Sequence, residues 1–145
     1  MRRMRKFPAL TALVALSGAC FAAGARVEAA PPQGTPKVCL DVQTGDSLIE
    51  KFADRLRETI AASGSLSLAS PADSCSLRLH VPGNLLRFQT AGGVMVSTVV
   101  IVTSPSDQYL STSIAACQAS NLAPCAVRAV GAAKLALLMK ANGGT

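Results

Sequence analysis

Few side chains in this sequence could carry out chemistry. His80 is the only histidine, so a general base of that type must be this residue. It falls on the outward side of the alternating segment 74–81, a position typical of a solvent-exposed side chain. Four aspartates are too dispersed along the chain to indicate a catalytic carboxylate pair: Asp41, Asp46, Asp73 and Asp107. Because catalytic triads are assembled in space, a Ser-His-Asp arrangement stays open as an alternative.

Motifs for other reactions are absent. The sequence has no G-x-S-x-G nucleophile elbow, and neither the Gly34-Thr35-Pro36 turn nor the glycine pair at 92–93 leads into a helix with the lysine of a phosphate-binding loop. We therefore predict no catalytic residue and no cofactor. A small secreted hydrolase or lytic factor using His80 is the alternative hypothesis.

The cysteines favour disulfides over metal binding. Of the five, four lie beyond the amino-terminal apolar segment: Cys39, Cys75, Cys117 and Cys125. An even number in an exported domain predicts two bridges, for which three connectivities are open. The pair Cys117–Cys125 could close a short local loop, which would leave Cys39–Cys75. Without a C-x-x-C pair, and with one histidine, neither a zinc site nor a thiol oxidoreductase is expected.

The first 25 residues have the pattern of an export signal. A basic stretch (2–6) precedes an uncharged segment (7–25), which ends in the A-x-A cleavage site at 23–25. A second acceptable site ends at Ala29 or Ala30. The sequence "LSGAC" also resembles a relaxed lipoprotein signal, so lipidation of Cys20 is the alternative to its removal. We predict a periplasmic or secreted protein, or an outer-membrane lipoprotein, with membrane contact only through a lipid at Cys20.

Charge argues against nucleic-acid binding once the signal is removed. The whole chain has 14 basic and 8 acidic residues, and residues 1–25 hold four of the basic ones. The remaining chain has 10 basic minus 8 acidic residues, a net charge of +2. With one tyrosine and no tryptophan, it also lacks aromatic platforms for stacking bases.

The rest of the chain predicts a linker (26–36) followed by one domain (37–145). A strand at 37–44 precedes a helix that starts with Ser47 as N-cap and Glu50 completing a capping box, and that ends at Gly64. Further strands are predicted at 65–70, 74–81, 94–103 and 109–116, and the segment 85–90 is predicted to continue the strand 74–81 after a turn or bend at 82–84.

A second helix is predicted over 124–142, with Pro124 at its first position. Its apolar face is predicted to consist of Val127, Val130, Leu137 and Leu138. The resulting order, β-α-β-β-β-β-α, predicts an α+β fold with both helices on one face of a mostly antiparallel sheet.

The other sheet face is the candidate interaction surface. The sequence predicts a polar, mildly basic strip there, formed by Arg78, His80, Arg87, Gln89, Ser97 and Thr103. Arg78, His80, Arg87 and Gln89 are the predicted binding residues, and a merely solvated face is the alternative.

The stretch "DSLIEKFADRLRETIAASGSLSLASPADSCSLRLHV" combines an amphipathic helix ending in Ser-Gly, a strand, and an alternating strand after "AD". This pattern resembles small bacterial envelope domains, such as the N-terminal domain of the periplasmic Tol propeller protein and certain outer-membrane assembly lipoproteins. The resemblance implies a non-enzymatic module that binds other envelope components.

We accordingly predict an exported binding or assembly module of the bacterial envelope with a protein partner. Recognition would use the polar sheet face or the addition of a partner strand to an open edge. Besides the hydrolase, an exported inhibitor or effector that presents the 117–125 loop is an alternative.

Overall fold

The computed structural model describes residues 34–143. The predicted signal peptide, Cys20 and most of the predicted linker lie outside this range. The elements in chain order are β1 (Lys37–Val42), α1 (Ser47–Ala62), β2 (Ser67–Leu68), β3 (Leu77–Val81), β4 (Leu86–Thr90), β5 (Gly93–Thr103), β6 (Tyr109–Gln118) and α2 (Ala123–Ala141). Within this part of the chain, neither helix is long and apolar enough to cross a membrane.

The strands form one mixed sheet around β5. One edge of β5 pairs with β6, and its other edge pairs first with β4 and then with β3, all antiparallel. Beyond β3 lies β1, which is parallel to both β3 and β2. The predicted α+β architecture is confirmed. The segment 85–90, predicted to continue the preceding strand, forms β4 after a break at 82–85.

Both helices cover the same face of the sheet and enclose the core. The side of α1 that faces the sheet buries Ile49, Phe52, Ala53, Leu56 and Ile60. Against them pack inward residues of every long strand, including Val38, Leu79 and Val100, each at most 1% exposed. The apolar residues predicted at helical spacing in α1 are therefore the ones that the helix buries.

The start of α1 differs from the prediction. Asp46, and not Ser47, is the N-cap: its backbone is extended and its Oδ1 accepts a hydrogen bond from the Leu48 amide at 2.8 Å. The helix end agrees with the prediction, because Gly64 has a φ of +63°, the left-handed conformation that favours glycine.

Helix α2 buries only part of the apolar face predicted for it: Val130 is buried and Leu137 packs against the core. Its buried side chains are mostly small: Cys125, Ala126, Ala129, Val130, Ala133 and Ala136. Val127 and Leu138, predicted to face the core, are 60% and 61% exposed, so that prediction was wrong for these two. The reason lies in β6, against which α2 packs. The inward residues of this strand are also small: Ser111, Ser113, Ala115 and Cys117. Small side chains on both surfaces let helix and strand approach closely, and bulky ones would hold them apart.

Both predicted disulfides are present. Cys39 in β1 is joined to Cys75, just before β3, with their Cα atoms 5.5 Å apart. Cys117 in β6 is joined to Cys125 in α2, with a Cα separation of 6.0 Å. The second bridge does not close a protruding loop, because only residues 119–122 separate the strand from the helix.

Candidate functional site

The alternation of side chains along β5 divides the sheet into two faces. Val96, Thr98, Val100 and Val102 point toward the helices and are at most 2% exposed. Met95, Ser97, Val99, Ile101 and Thr103 therefore point the other way. We call this side, which neither helix covers, the open face. Through the strand register it also carries Cys39, Asp41, Arg78, His80, Leu86, Phe88, Thr112, Ile114 and Ala116.

One half of the open face is apolar. Phe88 lies opposite Met95, and Ile114 lies opposite Val99. Leu86 is 74% exposed, Phe88 44% and Ile114 67%. The predicted polar strip is wrong for this half, because segment 85–90 contributes its apolar residues to this face.

The other half carries a polar cluster of five side chains: Asp41, Arg78, His80, Thr103 and Asp107. The Arg78 guanidinium donates to Asp107 at 3.0 Å, and His80 Nδ1 lies 2.9 Å from the Asp41 carboxylate. His80 Nε2 lies 3.2 Å from the Thr103 hydroxyl and 3.8 Å from the Asp107 carboxylate. The cluster thus links β1, β3, β5 and the turn after β5.

The sheet and one turn hold this cluster in place. Register alone puts Asp41 beside His80 and Arg78 beside Thr103. Asp107 comes from the turn between β5 and β6, where its φ is +63°, and its carboxylate lies beside Arg78 and His80. Sequence reasoning missed Asp41, Thr103 and Asp107 as partners of His80, because only pairing of distant segments brings them together.

Within the cluster, the Asp41 carboxylate, the His80 imidazole and the Thr103 hydroxyl follow one another as an acid, a base and a hydroxyl group. Thr103 is only 6% exposed. Three surface cavities lie beside the helices, and none of them is lined by a residue of the cluster. The arrangement can accept and donate hydrogen bonds at the surface, and it also ties three strands together. Among residues 34–143, no group of three His, Cys, Asp or Glu side chains has a geometry that could hold a metal ion.

The four predicted binding residues are divided between the two faces. Arg78 and His80 lie on the open face. Arg87 and Gln89 point to the helix side, because the break at 82–85 leaves the strand alternation in phase. There the Arg87 guanidinium donates to the Asp46 carboxylate at the start of α1.

The open face ends at an unpaired strand edge. Within the described residues, β6 pairs with β5 along one edge, and apart from a single bridge at Gln118 nothing pairs with its other edge. Its sequence, "YLSTSIAACQ", contains no charged residue and no proline. Natural proteins usually protect such edges with charges or proline, so the outer edge of β6 is available to another strand.

One further ion pair lies at the far side of the sheet. Asp73 accepts hydrogen bonds from Lys37, at 2.8 Å, and from the amide and hydroxyl of Ser70. These bonds stabilise the carboxylate and lower the pKa of Asp73 from its ordinary value of 3.8 to about 2.

No family model matches the sequence, and no curated protein matches it significantly. Solved structures do resemble its fold. TolB from Acinetobacter baumannii is 18% identical with a TM-score of 0.48, over 73% of this chain and 29% of that one. A minor lipoprotein from the same organism is 14% identical with a TM-score of 0.39, over 77% of this chain and 95% of that one.

A third neighbour is the uncharacterized lipoprotein B from Nitrosomonas europaea. It is 10% identical with a TM-score of 0.38, over 76% of this chain and 86% of that one. At these identities the likeness concerns the fold alone. The neighbours include a Tol protein and lipoproteins.

Proposed function

We propose that this chain is an exported, non-enzymatic binding module of the bacterial envelope that recognises an extended segment of a partner protein. The partner strand adds to the outer edge of β6, and its side chains extend the open face. Two disulfides support an exported location, because such bridges persist in oxidising compartments.

The observation that carries this proposal is the unprotected edge of β6. This strand is 10 residues long, uncharged and free of proline. Half of its side chains are Ser, Thr or Ala, which are small and leave the backbone N–H and C=O groups accessible. Added strands gain affinity from main-chain hydrogen bonds, which any sequence can supply.

Specificity would come from the open face beside that edge. In an added strand, alternate side chains fall on this face. They would lie next to Ile114, which is 67% exposed, and within reach of the apolar half of the face. Toward the other end of β6 they would lie next to Thr112, whereas β6 and β5 separate the added strand from His80 and Arg78. The partner segment should therefore alternate apolar residues where it passes Ile114 and carry a polar residue beside Thr112.

Site-specific photocrosslinking in the native host tests this proposal. A photoreactive amino acid at Ile114 should yield one defined protein adduct, and the same probe at Arg57, exposed on α1, should not. A lysine at Ala116, on the same edge strand, should abolish the adduct while leaving the melting temperature unchanged. No adduct at Ile114, or equal labelling at Arg57, would contradict the proposal.

One observation favours a second candidate function. His80 contacts both a carboxylate and a hydroxyl, the order found in hydrolases that use a histidine base. If the protein is a hydrolase, His80→Ala and Thr103→Val should each abolish its activity on envelope polymers or model esters. A folded His80→Ala variant with unchanged activity would exclude this function.

A further inference from the structure

Helix α2 exposes its large apolar side chains and buries its small ones. Val127 is 60% exposed, Leu135 56%, Leu138 61% and Met139 51%. Its buried residues are alanines, one valine and a disulfide-bonded cysteine. A surface helix that serves only to cover a core has the opposite distribution. The exposed side of α2 therefore needs an explanation other than packing of this domain.

These exposed residues form one continuous stripe. At 100° per residue, Val127, Gly131, Leu135 and Leu138 fall within about 80° of the helix circumference. Met139 adjoins them. We call these five residues the α2 stripe. Since it lies on the side of α2 that faces away from the sheet, it is on the opposite side of the domain from the open face.

Basic residues flank the stripe. Lys134 lies about 20° outside Val127 at one side of the stripe, and Arg128 lies near its other side, between Leu135 and Met139. Lys140, in the last turn, lies on the opposite side of the helix. Helix α2 contains no acidic residue. Among residues 34–143, none of these three cations is within ion-pair distance of a carboxylate.

Two shallow cavities beside the stripe have the same character. A cavity of about 400 Å³ is lined by apolar groups of Pro36, Leu66, Leu137 and Leu138, together with Lys134. A second one, of about 350 Å³, lies between Val127, Gly131 and the end of α1. No acidic residue lines either cavity.

We propose that the α2 stripe binds the surface of an anionic lipid bilayer. An apolar stripe flanked by cations on both sides suits a helix lying in the plane of the interface, with Leu and Met side chains among the acyl chains and Lys and Arg at the headgroups. Charge complementarity selects the occupant: the surface is cationic, and anionic lipids attract such segments. The sequence had predicted membrane contact only through Cys20.

The path of the chain agrees with this orientation. Pro36, near the start of the described residues, lines the same cavity as Leu138. The described part of the chain thus begins beside the stripe. Cys20, the candidate lipidation site, is 14 residues before Gly34, which is about 45 Å of extended chain. A lipid there and the α2 stripe could attach to one membrane, which leaves the open face directed toward partners.

Tryptophan fluorescence on the full chain tests the proposal, because the natural sequence contains no tryptophan. Leu138→Trp places a probe on the stripe, and Ile114→Trp places the matched control on the open face at a similar exposure (61% and 67%). With phosphatidylglycerol vesicles carrying brominated acyl chains, we expect a blue shift and quenching for Leu138→Trp only. Phosphatidylcholine vesicles should give a weaker response.

The charges are tested separately. Lys134→Glu should weaken binding of the Leu138→Trp variant to phosphatidylglycerol vesicles about tenfold, since each cation near an anionic surface attracts it appreciably. Lys51→Glu, on the exposed side of α1, is the matched control and should have a smaller effect.

Three outcomes would overturn the proposal. The first is no quenching of Leu138→Trp, and the second is equal quenching of both probes. The third is a blue shift of Leu138→Trp that depends on protein concentration without lipid, which would show that a second copy of the chain covers the stripe.

Discussion

The start of α1 yields a prediction that separates the structure from the sequence pattern. Asp46 caps the helix with one carboxylate oxygen and accepts a hydrogen bond from Arg87 with the other. Ser47, the N-cap predicted from the sequence, is an exposed residue of the first turn. Asp46→Ala should therefore destabilise the fold, and Ser47→Ala should not.

The magnitude follows from three contributions. Loss of the cap costs about 1 kcal/mol, and loss of a negative charge at the helix N-terminus costs about 0.5 kcal/mol. The pair with Arg87 has side chains 49% and 30% exposed, so it adds only about 0.5 kcal/mol. Asp46→Ala should thus lower the free energy of unfolding by about 2 kcal/mol. Ser47→Ala should change it by less than about 0.5 kcal/mol.

Urea unfolding followed by circular dichroism measures both variants. Asp46→Asn is the intermediate control: it keeps a capping oxygen and loses the charge, so it should lose about 1 kcal/mol. By thermal melting, Asp46→Ala should unfold about 8 °C below the parent. If Ser47→Ala costs as much as Asp46→Ala, the assignment of the cap is refuted.

Three other predictions concern stability. Because the pKa of Asp73 falls from 3.8 to about 2 on folding, its carboxylate stabilises the fold above about pH 4, and this contribution disappears as the pH falls through about 2. The stability difference between the parent and Asp73→Asn, measured by urea titration, should accordingly shrink between about pH 5 and pH 2; a constant difference would contradict the shift. Removing the bridge across 36 residues with Cys39→Ala and Cys75→Ala should cost about 4 kcal/mol of unfolding free energy, and an unchanged urea midpoint would show that it does not stabilise the fold. In α2, Ala133→Leu should cost about 1–3 kcal/mol by overpacking a fully buried position, whereas Gly131→Ala, whose new Cβ meets no neighbour, should gain about 0.5–1 kcal/mol; similar effects of the two on thermal melting would argue against the close packing of α2 on β6.

Properties set by local pattern were predictable from the sequence. The amphipathic period of α1, the glycine that ends it and the alternation of 74–81 each depend on residues a few positions apart. Two disulfides were predictable from the even number of cysteines. Their connectivity was open among three possibilities, and the structure has the one that pairs the cysteines eight residues apart. Both helices on one sheet face followed from the order of these elements.

The composition of the open face was only partly predictable. Arg78 and His80 were placed on it because they alternate within one uninterrupted strand. Arg87 was assigned to the same face although a break separates the two segments. No local pattern shows how many residues the break contains, and that number sets the phase of the alternation after it. A shift of one residue exchanges the two faces of a strand, so this face became apolar where a polar one was expected.

The sequence by itself determined which segments are helix and strand, that four cysteines form two disulfides, and that both helices share one face, because each rests on local spacing or on few alternatives. The tertiary structure decided everything that depends on two distant segments meeting. It brought Asp41, Thr103 and Asp107 to His80, it gave the cap of α1 a partner in Arg87, and it turned the small side of α2 inward. That last choice could not be read from the sequence, because hydrophobicity alone favours burying leucine, whereas the close fit between α2 and a strand of small residues favours small side chains, mostly alanine.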